Sequence, residues 1–243
     1  MISVVIPTWR EAPRIGPLLR SLAAEATPHE LIVVDGGSTD GTALAAERTG
    51  AARVLRTPPG RGRQLAAGLA AARGDAVLFL HADTAFPPGG LAAVAELMDR
   101  RPDVVGGNFR LLFDGDPAMA EWLRRFYATI RAVGLFYGDS GIFARRAVLD
   151  AVGGVRPMAL MEDYDLVRRL RRAGPLACIA DPPLVTSTRR FEGRGRAAIL
   201  AGWARIHLLH WAGVAPERLA AIYERDSEVP KDARWRSRKS SRS

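Results

Sequence analysis

The chain has 243 residues, 48% of them hydrophobic and 25% charged, with a formal net charge of +9, a composition of globular domains that excludes a disordered or low-complexity chain. No stretch is long and charge-free enough to span a membrane, the opening residues lack the basic start of a secretory leader, and one cysteine excludes an internal disulfide. The expectation is a cytoplasmic protein in which Cys178, within the apolar run Leu176-Ala177-Cys178-Ile179-Ala180, is a buried core thiol.

Residues 2–8, 30–35, 52–57 and 76–81 are short β-branched or continuously apolar runs, predicting strands buried on both faces. Residues 14–26, 39–49 and 62–72 carry Ala, Leu and Arg at helical spacing. This strand–helix alternation predicts an α/β fold with a mainly parallel sheet covered by helices. After Pro102 the alternation breaks. Residues 104–114 predict a long strand, 116–133 an amphipathic helix, 140–144 a strand and 162–173 a helix; short strands follow at 176–180 and 184–188, then helices at 194–211 and 216–224. No linker separates the halves, so the expectation is one domain over residues 1–230, with a nucleotide half at 1–100 and an acceptor half with C-terminal helices at 101–230.

Residues 186–243 hold 13 Lys+Arg and 6 Asp+Glu, so most of the positive excess lies there. Residues 231–243 lack periodicity and read as a flexible basic tail. A solvated tail without a fixed partner is the plainest reading; weak contact with anionic membrane is the functional one, and no specific nucleic acid is expected.

In an open α/β sheet, ligands bind beyond the carboxyl ends of the strands. Those ends are polar here: Pro7-Thr8-Trp9-Arg10-Glu11, Asp35-Gly36-Gly37-Ser38-Thr39-Asp40-Gly41 and His81-Ala82-Asp83-Thr84. Glu11, Asp35 and Asp83 therefore share one rim. Asp35 is suited to accept hydrogen bonds from a ribose diol or a base N–H, and equally to bend a strand-to-helix turn. Gly60-Arg61-Gly62-Arg63-Gln64 opens a helix whose arginines and N–H groups suit phosphate, but it lacks the P-loop lysine. Glu162-Asp163 begins a helix with a basic far end, which complements the helix dipole whatever else it does. His207 and His210 are three apart on a predicted helix, a spacing more common in packing than in metal binding.

Taken in order, these segments resemble family 2 glycosyltransferases of the GT-A fold over roughly residues 2–174. Val4-Val5-Ile6-Pro7-Thr8-Trp9-Arg10-Glu11 is similar to the family's opening strand, and Val34-Asp35-Gly36-Gly37-Ser38-Thr39-Asp40-Gly41-Thr42 to its nucleotide signature. Arg63-Gln64 corresponds to an Arg-Asn pair, His81-Ala82-Asp83 to Asp-x-Asp, and Gly153-Gly154 with Glu162-Asp163 to Gly-Gly followed by Glu-Asp. Leu-His-Ala-Asp-Thr at residues 80–84 and Gly138-Asp139-Ser140-Gly141-Ile142-Phe143 further resemble a short bacterial branch labelled arsenosugar-biosynthesis or radical-SAM/selenodomain-associated glycosyltransferases.

The resemblance implies a hexosyltransferase-type enzyme that moves a sugar from a UDP-, GDP- or dTDP-sugar to an acceptor hydroxyl with inversion, aided by Mn²⁺ or Mg²⁺ on Asp83. It assigns Asp163 as general base and Glu162 as a positioning residue. Pro7, Thr8, Glu11, Asp35, Gly37, Arg63, Gln64, His81, Ala82 and Asp83 fall to the donor, with Arg189 or Arg190 facing its phosphates; Asp139 and Ser140 line the acceptor side. His81 replaces the first aspartate of Asp-x-Asp, and contact with the donor, ligation of Mn²⁺ and bracing of the loop all remain open to it. The expected place of such an enzyme is the cytoplasm or, peripherally, the inner face of the membrane. A nucleotidyltransferase and a non-enzymatic basic module that binds polyanions or membrane are the rival readings. The first lacks its early Gly-rich basic loop, and the second leaves Asp35, Asp83 and Asp163 without a purpose.

Overall fold

The computed structural model describes residues 1–191 and 193–227, so the basic stretch 231–243 lies outside the described residues. Two compact units are present, Met1–Ser187 and one beginning at Thr188.

The first unit is built on one eight-stranded sheet. Its strands are β1 (Ile2–Thr8), β2 (His29–Asp35), β3 (Arg53–Arg56), β4 (Ala76–Phe79), β5 (Thr84–Ala85), β6 (Gly106–Phe113), β7 (Ile142–Arg145) and β8 (Leu176–Thr186). The spatial order is β3-β2-β1-β4-β7-β6-β8-β5. The pairs β3/β2, β2/β1, β1/β4 and β6/β8 are parallel, whereas β7 runs antiparallel to both β4 and β6. The predicted alternation thus forms the parallel half, and the sheet reverses direction at β4/β7.

Strand period explains the core. Val5, Ile32, Val34, Val77 and Phe79 share one apolar cluster with Leu65 and Leu69 of α3 (Arg61–Ala71) and Leu166, Val167 and Leu170 of α7 (Glu162–Ala173). The alternating residues Val4, Ile6, Leu31, Val33 and Leu78 are buried as well, so the central strands are covered on both faces. Helix α1 (Ala12–Ala23) buries Ile15, Leu18, Leu19 and Leu22.

Several expectations shift. The helix expected at 39–49 is only α2 (Thr42–Glu47), because Asp40 folds back onto the amide N–H and hydroxyl of Thr42. Helices α4 (Gly90–Arg100) and α6 (Arg146–Ala151) were not anticipated; Pro87-Pro88-Gly89 masked the start of the first. Helix α5 (Pro117–Ala132) starts on an Asp116 cap, whose side chain accepts from the Met119 amide at 2.8 Å. The two short strands expected at 176–180 and 184–188 are one, β8, with a register shift against Phe109 and Leu111 where Asp181-Pro182-Pro183 interrupts the ladder. Cys178 is exposed, not a core thiol: alternation along β8 turns Ile179 inward and Cys178 outward.

The second unit comprises a 3₁₀ turn (Thr188–Phe191), α8 (Arg196–Trp211) and α9 (Pro216–Ser227). Phe191 packs edge-on against Trp203, with ring centres 5.7 Å apart.

Candidate active site

The carboxyl ends of β1 and β2 are strapped together. Thr8 and Asp35 stand in register, and Asp35, only 2% exposed, accepts from the amides of Gly37 at 3.1 Å and Ser38 at 2.9 Å. Gly37 takes φ 86°, the left-handed region this turn needs. The Arg10 amide donates to the Ser38 hydroxyl at 2.9 Å, the Ala12 amide to Asp40 at 3.2 Å and the Glu11 amide to the Thr42 hydroxyl at 2.9 Å. The Glu11 side chain pairs with Arg14 at 2.9 Å. Thr42 above all holds the Asp40 carboxyl below its ordinary pKa, aided by the Ala12 amide.

Gln64 is buried, and its amide nitrogen donates to the carbonyls of Thr8 and Val34, each at 2.8 Å. It therefore braces the ends of β1 and β2 from beneath rather than reaching outward. Arg63, beside it, is exposed.

A second cluster forms where the sheet reverses, at the end of β4. The first turn of α3 lies against the loop leading into α7: a Cβ on Gly62 would sit 2.4 Å from the Met158 carbonyl oxygen, so no larger residue fits. That contact brings Arg61 to the acids. Arg61 donates through Nε to Glu162 Oε1 and through Nη2 to Asp163 Oδ2 at 3.3 Å. Asp163 Oδ2 also accepts from the Gly138 amide at 3.0 Å, and Oδ1 from the Tyr164 amide at 2.7 Å. Glu162 is wholly buried, and its Oε2 has no hydrogen-bond partner among the described residues. Burial pushes its pKa up against the attraction of Arg61, and the neighbouring Asp163 charge adds to the rise. The Tyr137 hydroxyl is likewise pushed up by burial, then by Asp163.

His81 follows β4 and faces the same space. A Cβ on Gly138 would lie 2.9 Å from His81 Nε2 and 3.4 Å from Asp163 Oδ2, so imidazole and carboxylate close in on a narrow gap that only a glycine leaves. A small, largely enclosed pocket lined by Arg61, Leu65, Phe79, His81, Ile142 and Asp163, among others, lies here. On its Gly138 side, Asp139 accepts from the Tyr127 hydroxyl at 2.5 Å, while Ser140 is buried and donates to the Tyr137 carbonyl at 2.7 Å.

The structure thus joins His81, Glu162 and Asp163 in one cleft, and Thr8, Asp35, Gly37 and Gln64 in another cluster on the same rim. β1 separates the strands that carry Asp35 and His81, so the two clusters stand roughly 10 Å apart at ordinary strand spacing. Asp83 and His81 are half-buried, and Ala82 is buried. The side chains of Arg189 and Arg190 lie outside the described residues. His207, in the second unit, bonds its Nδ1 to the Trp203 carbonyl at 2.8 Å.

Sequence reasoning gave Arg61 to phosphate and missed its pairing with Glu162 and Asp163, and nothing in it marked the tight approach at Gly138. Arg61 and Arg63 are about 200° apart around a helix, so only one can face the acids. Their phase relative to α7 was the deciding signal, and only tertiary packing reveals it.

Among the described residues, no group of three or more His, Cys, Asp or Glu could hold an ion alone. Asp83, beyond β4, offers one carboxylate, a hard oxygen donor of the kind that suits a Mn²⁺ or Mg²⁺ ion whose remaining positions are filled by diphosphate oxygens and water.

The family model described as Glycosyl transferase family 2 matches residues 3–149. Glucosyl-3-phosphoglycerate synthase of Mycolicibacterium paratuberculosis is 40% identical over 96 residues, covering 35% of this chain and 29% of the relative. Undecaprenyl-phosphate 4-deoxy-4-formamido-L-arabinose transferase of Pseudomonas paraeruginosa is 33% identical over 171 residues, covering 63% and 49%. The chain therefore spans less than half the length of these curated relatives. Among solved structures, the mannosyltransferase of Pyrobaculum calidifontis in complex with GDP-Man and Mn²⁺ superposes with a TM-score of 0.64 at 25% identity, over 93% of this chain and 68% of that one. Glucosyl-3-phosphoglycerate synthase of Mycobacterium tuberculosis, in complex with Mn²⁺, UDP and glucosyl-3-phosphoglycerate, gives 0.57 at 25% identity, over 88% and 80%. With a mixed sheet of the GT-A type and a family match over more than half its length, the chain belongs to the family 2 glycosyl transferases.

Proposed function

We propose that this chain transfers a glycosyl group from a nucleoside diphosphate sugar to an acceptor hydroxyl, with inversion at the anomeric carbon. The observation that carries this reading is the cluster past the end of β4, where His81 Nε2 and Asp163 Oδ2 lie within 3.4 Å of where a Gly138 Cβ would stand and the Gly138 amide donates to Asp163 Oδ2. The complexes of the structural relatives with GDP-Man and with UDP, each with Mn²⁺, support a nucleotide-sugar donor and a divalent ion for this chain. UDP-, GDP- and dTDP-sugars are the donor candidates, and the acceptor is left open.

In this reading residues 1–230 work as one catalytic domain, and Pro7, Thr8, Glu11, Asp35 and Gly37 receive the nucleoside at the ends of β1 and β2. Gln64 keeps those ends in place through its two carbonyl contacts. Arg63, exposed on the first turn of α3, meets the phosphates. Asp83 holds the metal ion, which when bound offsets the charge of the departing diphosphate. Asp139 and Ser140 shape the acceptor side.

Asp163 takes the acceptor's hydroxyl proton as the new O–C1 bond forms and the C1–O bond to the diphosphate breaks. Arg61 and the Gly138 amide hold the receiving oxygen in place. Glu162 anchors Arg61 from the buried side and touches no substrate. Weak contact of residues 231–243 with anionic lipid, at the inner face of the cytoplasmic membrane, belongs to the same reading, and the positive excess of residues 186–243 supports it.

A thermal-shift panel of nucleoside diphosphates and nucleotide sugars, with and without Mn²⁺, tests the reading, since a ligand that binds only the folded state stabilises it by mass action. Stabilisation by at least one nucleotide sugar, deepened by Mn²⁺, is expected. A panel without any shift would refute it.

A further inference from the structure

Helix α8 (Arg196–Trp211) is apolar around its whole circumference, with Arg196 and Arg205 as its only fully charged side chains and no acid. Ile199 and Ile206 are buried. The opposite face is also apolar, yet exposed: Ala197, Leu200, Ala204, Leu208 and Trp211 are all solvent-accessible, Leu208 and Trp211 each at 62%. At 3.6 residues per turn these five positions fall within an arc of roughly 80°, with Arg205 on one side and Arg196 on the other. A soluble helix normally turns polar residues outward, so a continuous apolar exposed stripe calls for an occupant.

We propose that this face of α8 docks onto an anionic bilayer surface. Leucines and a tryptophan in a stripe flanked by arginines suit the boundary between headgroups and acyl chains: Leu200 and Leu208 enter the apolar layer, Trp211 sits at headgroup level, and the arginines meet lipid phosphates. The surrounding sequence has the matching sign even without the tail, since residues 188–227 carry 7 Lys+Arg against 4 Asp+Glu, and a positive segment is drawn to a negative leaflet. A second copy of the chain is the weaker fit, because pairing two such faces brings like-charged arginine edges together. This docking is independent of glycosyl transfer and, unlike the weak tail contact, places the anchoring in the helix itself.

The test is flotation of the full-length protein with vesicles containing about 30% phosphatidylglycerol, against phosphatidylcholine alone. Three proteins are compared: wild type, Leu208→Glu/Trp211→Glu, and a chain with Arg234, Arg236, Arg238 and Lys239 all changed to Gln. Wild type is expected to float with anionic vesicles only, the helix variant to lose about tenfold or more in bound fraction with its melting temperature kept, and the tail variant to keep most of its binding. Should the helix variant fail to fold, quenching of tryptophan fluorescence by brominated lipid in wild type and Trp211→Tyr gives the same answer: Trp211 contributes a quenched component that the variant lacks. The proposal is overturned if wild type does not float, if the helix variant floats like wild type, if the tail variant alone loses binding, or if Trp211 is not quenched. It also fails if light scattering shows a dimer that Leu208→Glu/Trp211→Glu dissociates, since a second copy then covers the face.

Discussion

Arg61, on the first turn of α3, reaches Asp163, on the first turn of α7, through an Nη2 to Oδ2 contact of 3.3 Å while its Nε is bonded to buried Glu162. One guanidinium thus ties the start of α3 to the carboxylate pair at the start of α7. Removing it leaves Glu162 buried without a counter-charge, a loss that costs about 3 kcal/mol in comparable pairs. Arg61→Ala is expected to lower the melting temperature clearly. Glu162→Gln in the same chain should recover part of that loss, because it removes the stranded charge. Urea unfolding of the single and double variants measures the coupling, and strictly additive effects would show that the contact is not energetic.

Glu162 gives a pH dependence with a definite sign. Its folded pKa is raised, chiefly by burial, so the folded state holds this proton more tightly than the unfolded chain. The stability contributed is fully present below the unfolded value near 4.5 and is lost as pH rises through the folded value. Relative to wild type, Glu162→Gln should therefore be more stable at pH 8 than at pH 4. Melting curves of both proteins across that range check it; a difference independent of pH contradicts it.

Gly138 predicts a steric effect. The methyl of Gly138→Ala would lie 2.9 Å from His81 Nε2 and 3.4 Å from Asp163 Oδ2, so the His81 ring must move while Asp163 stands at ordinary contact distance. Overpacking of this kind costs roughly 1–3 kcal/mol, and misplacing reacting groups by about 1 Å costs roughly 10²-fold in rate. Transfer is expected to fall by that order in a protein that still folds, as judged by circular dichroism and initial rates.

Asp83 predicts the metal response. Nucleoside diphosphate binding measured by titration calorimetry should strengthen with Mn²⁺ in wild type, and Asp83→Asn should remove most of the gain. An undiminished gain in the variant would assign the ion elsewhere.

The parallel part of the sheet was legible because its signals are local. Apolar runs fix the parallel strands, and the rim residue is a strand's last one, as Thr8 and Asp35 are, or lies just past it, as His81 does after Phe79, so all three could be located from the pattern alone. The rest depends on tertiary packing. Gln64 looks like a ligand-facing amide in the sequence but is turned inward to the carbonyls of Thr8 and Val34. Arg61 and Arg63 look interchangeable until Gly62 is pressed against Met158 and only Arg61 faces the acids. Cys178 sits in an apolar run, yet strand alternation turns it to solvent. Nothing in the local pattern marks Gly138 as the floor of a gap, because that gap is formed by residues 57 positions before it and 25 after.

In the proposed mechanism Asp163 accepts the acceptor's proton. Both of its oxygens already accept hydrogen bonds from the protein, so a purely structural helix-start carboxylate is the competing role. Asp163→Asn separates them, because it preserves size and much of the capping capacity. The direct measurement is the initial rate of nucleoside diphosphate release from the best-stabilising nucleotide sugar, with the acceptor that gives the highest wild-type rate in a panel of phosphorylated, lipid and small-metabolite hydroxyl compounds. The account predicts donor affinity near wild type with release slowed by roughly 10²–10⁴-fold; a folded Asp163→Asn protein with near-wild-type turnover and a stability loss of only about 0.5–2 kcal/mol would contradict it.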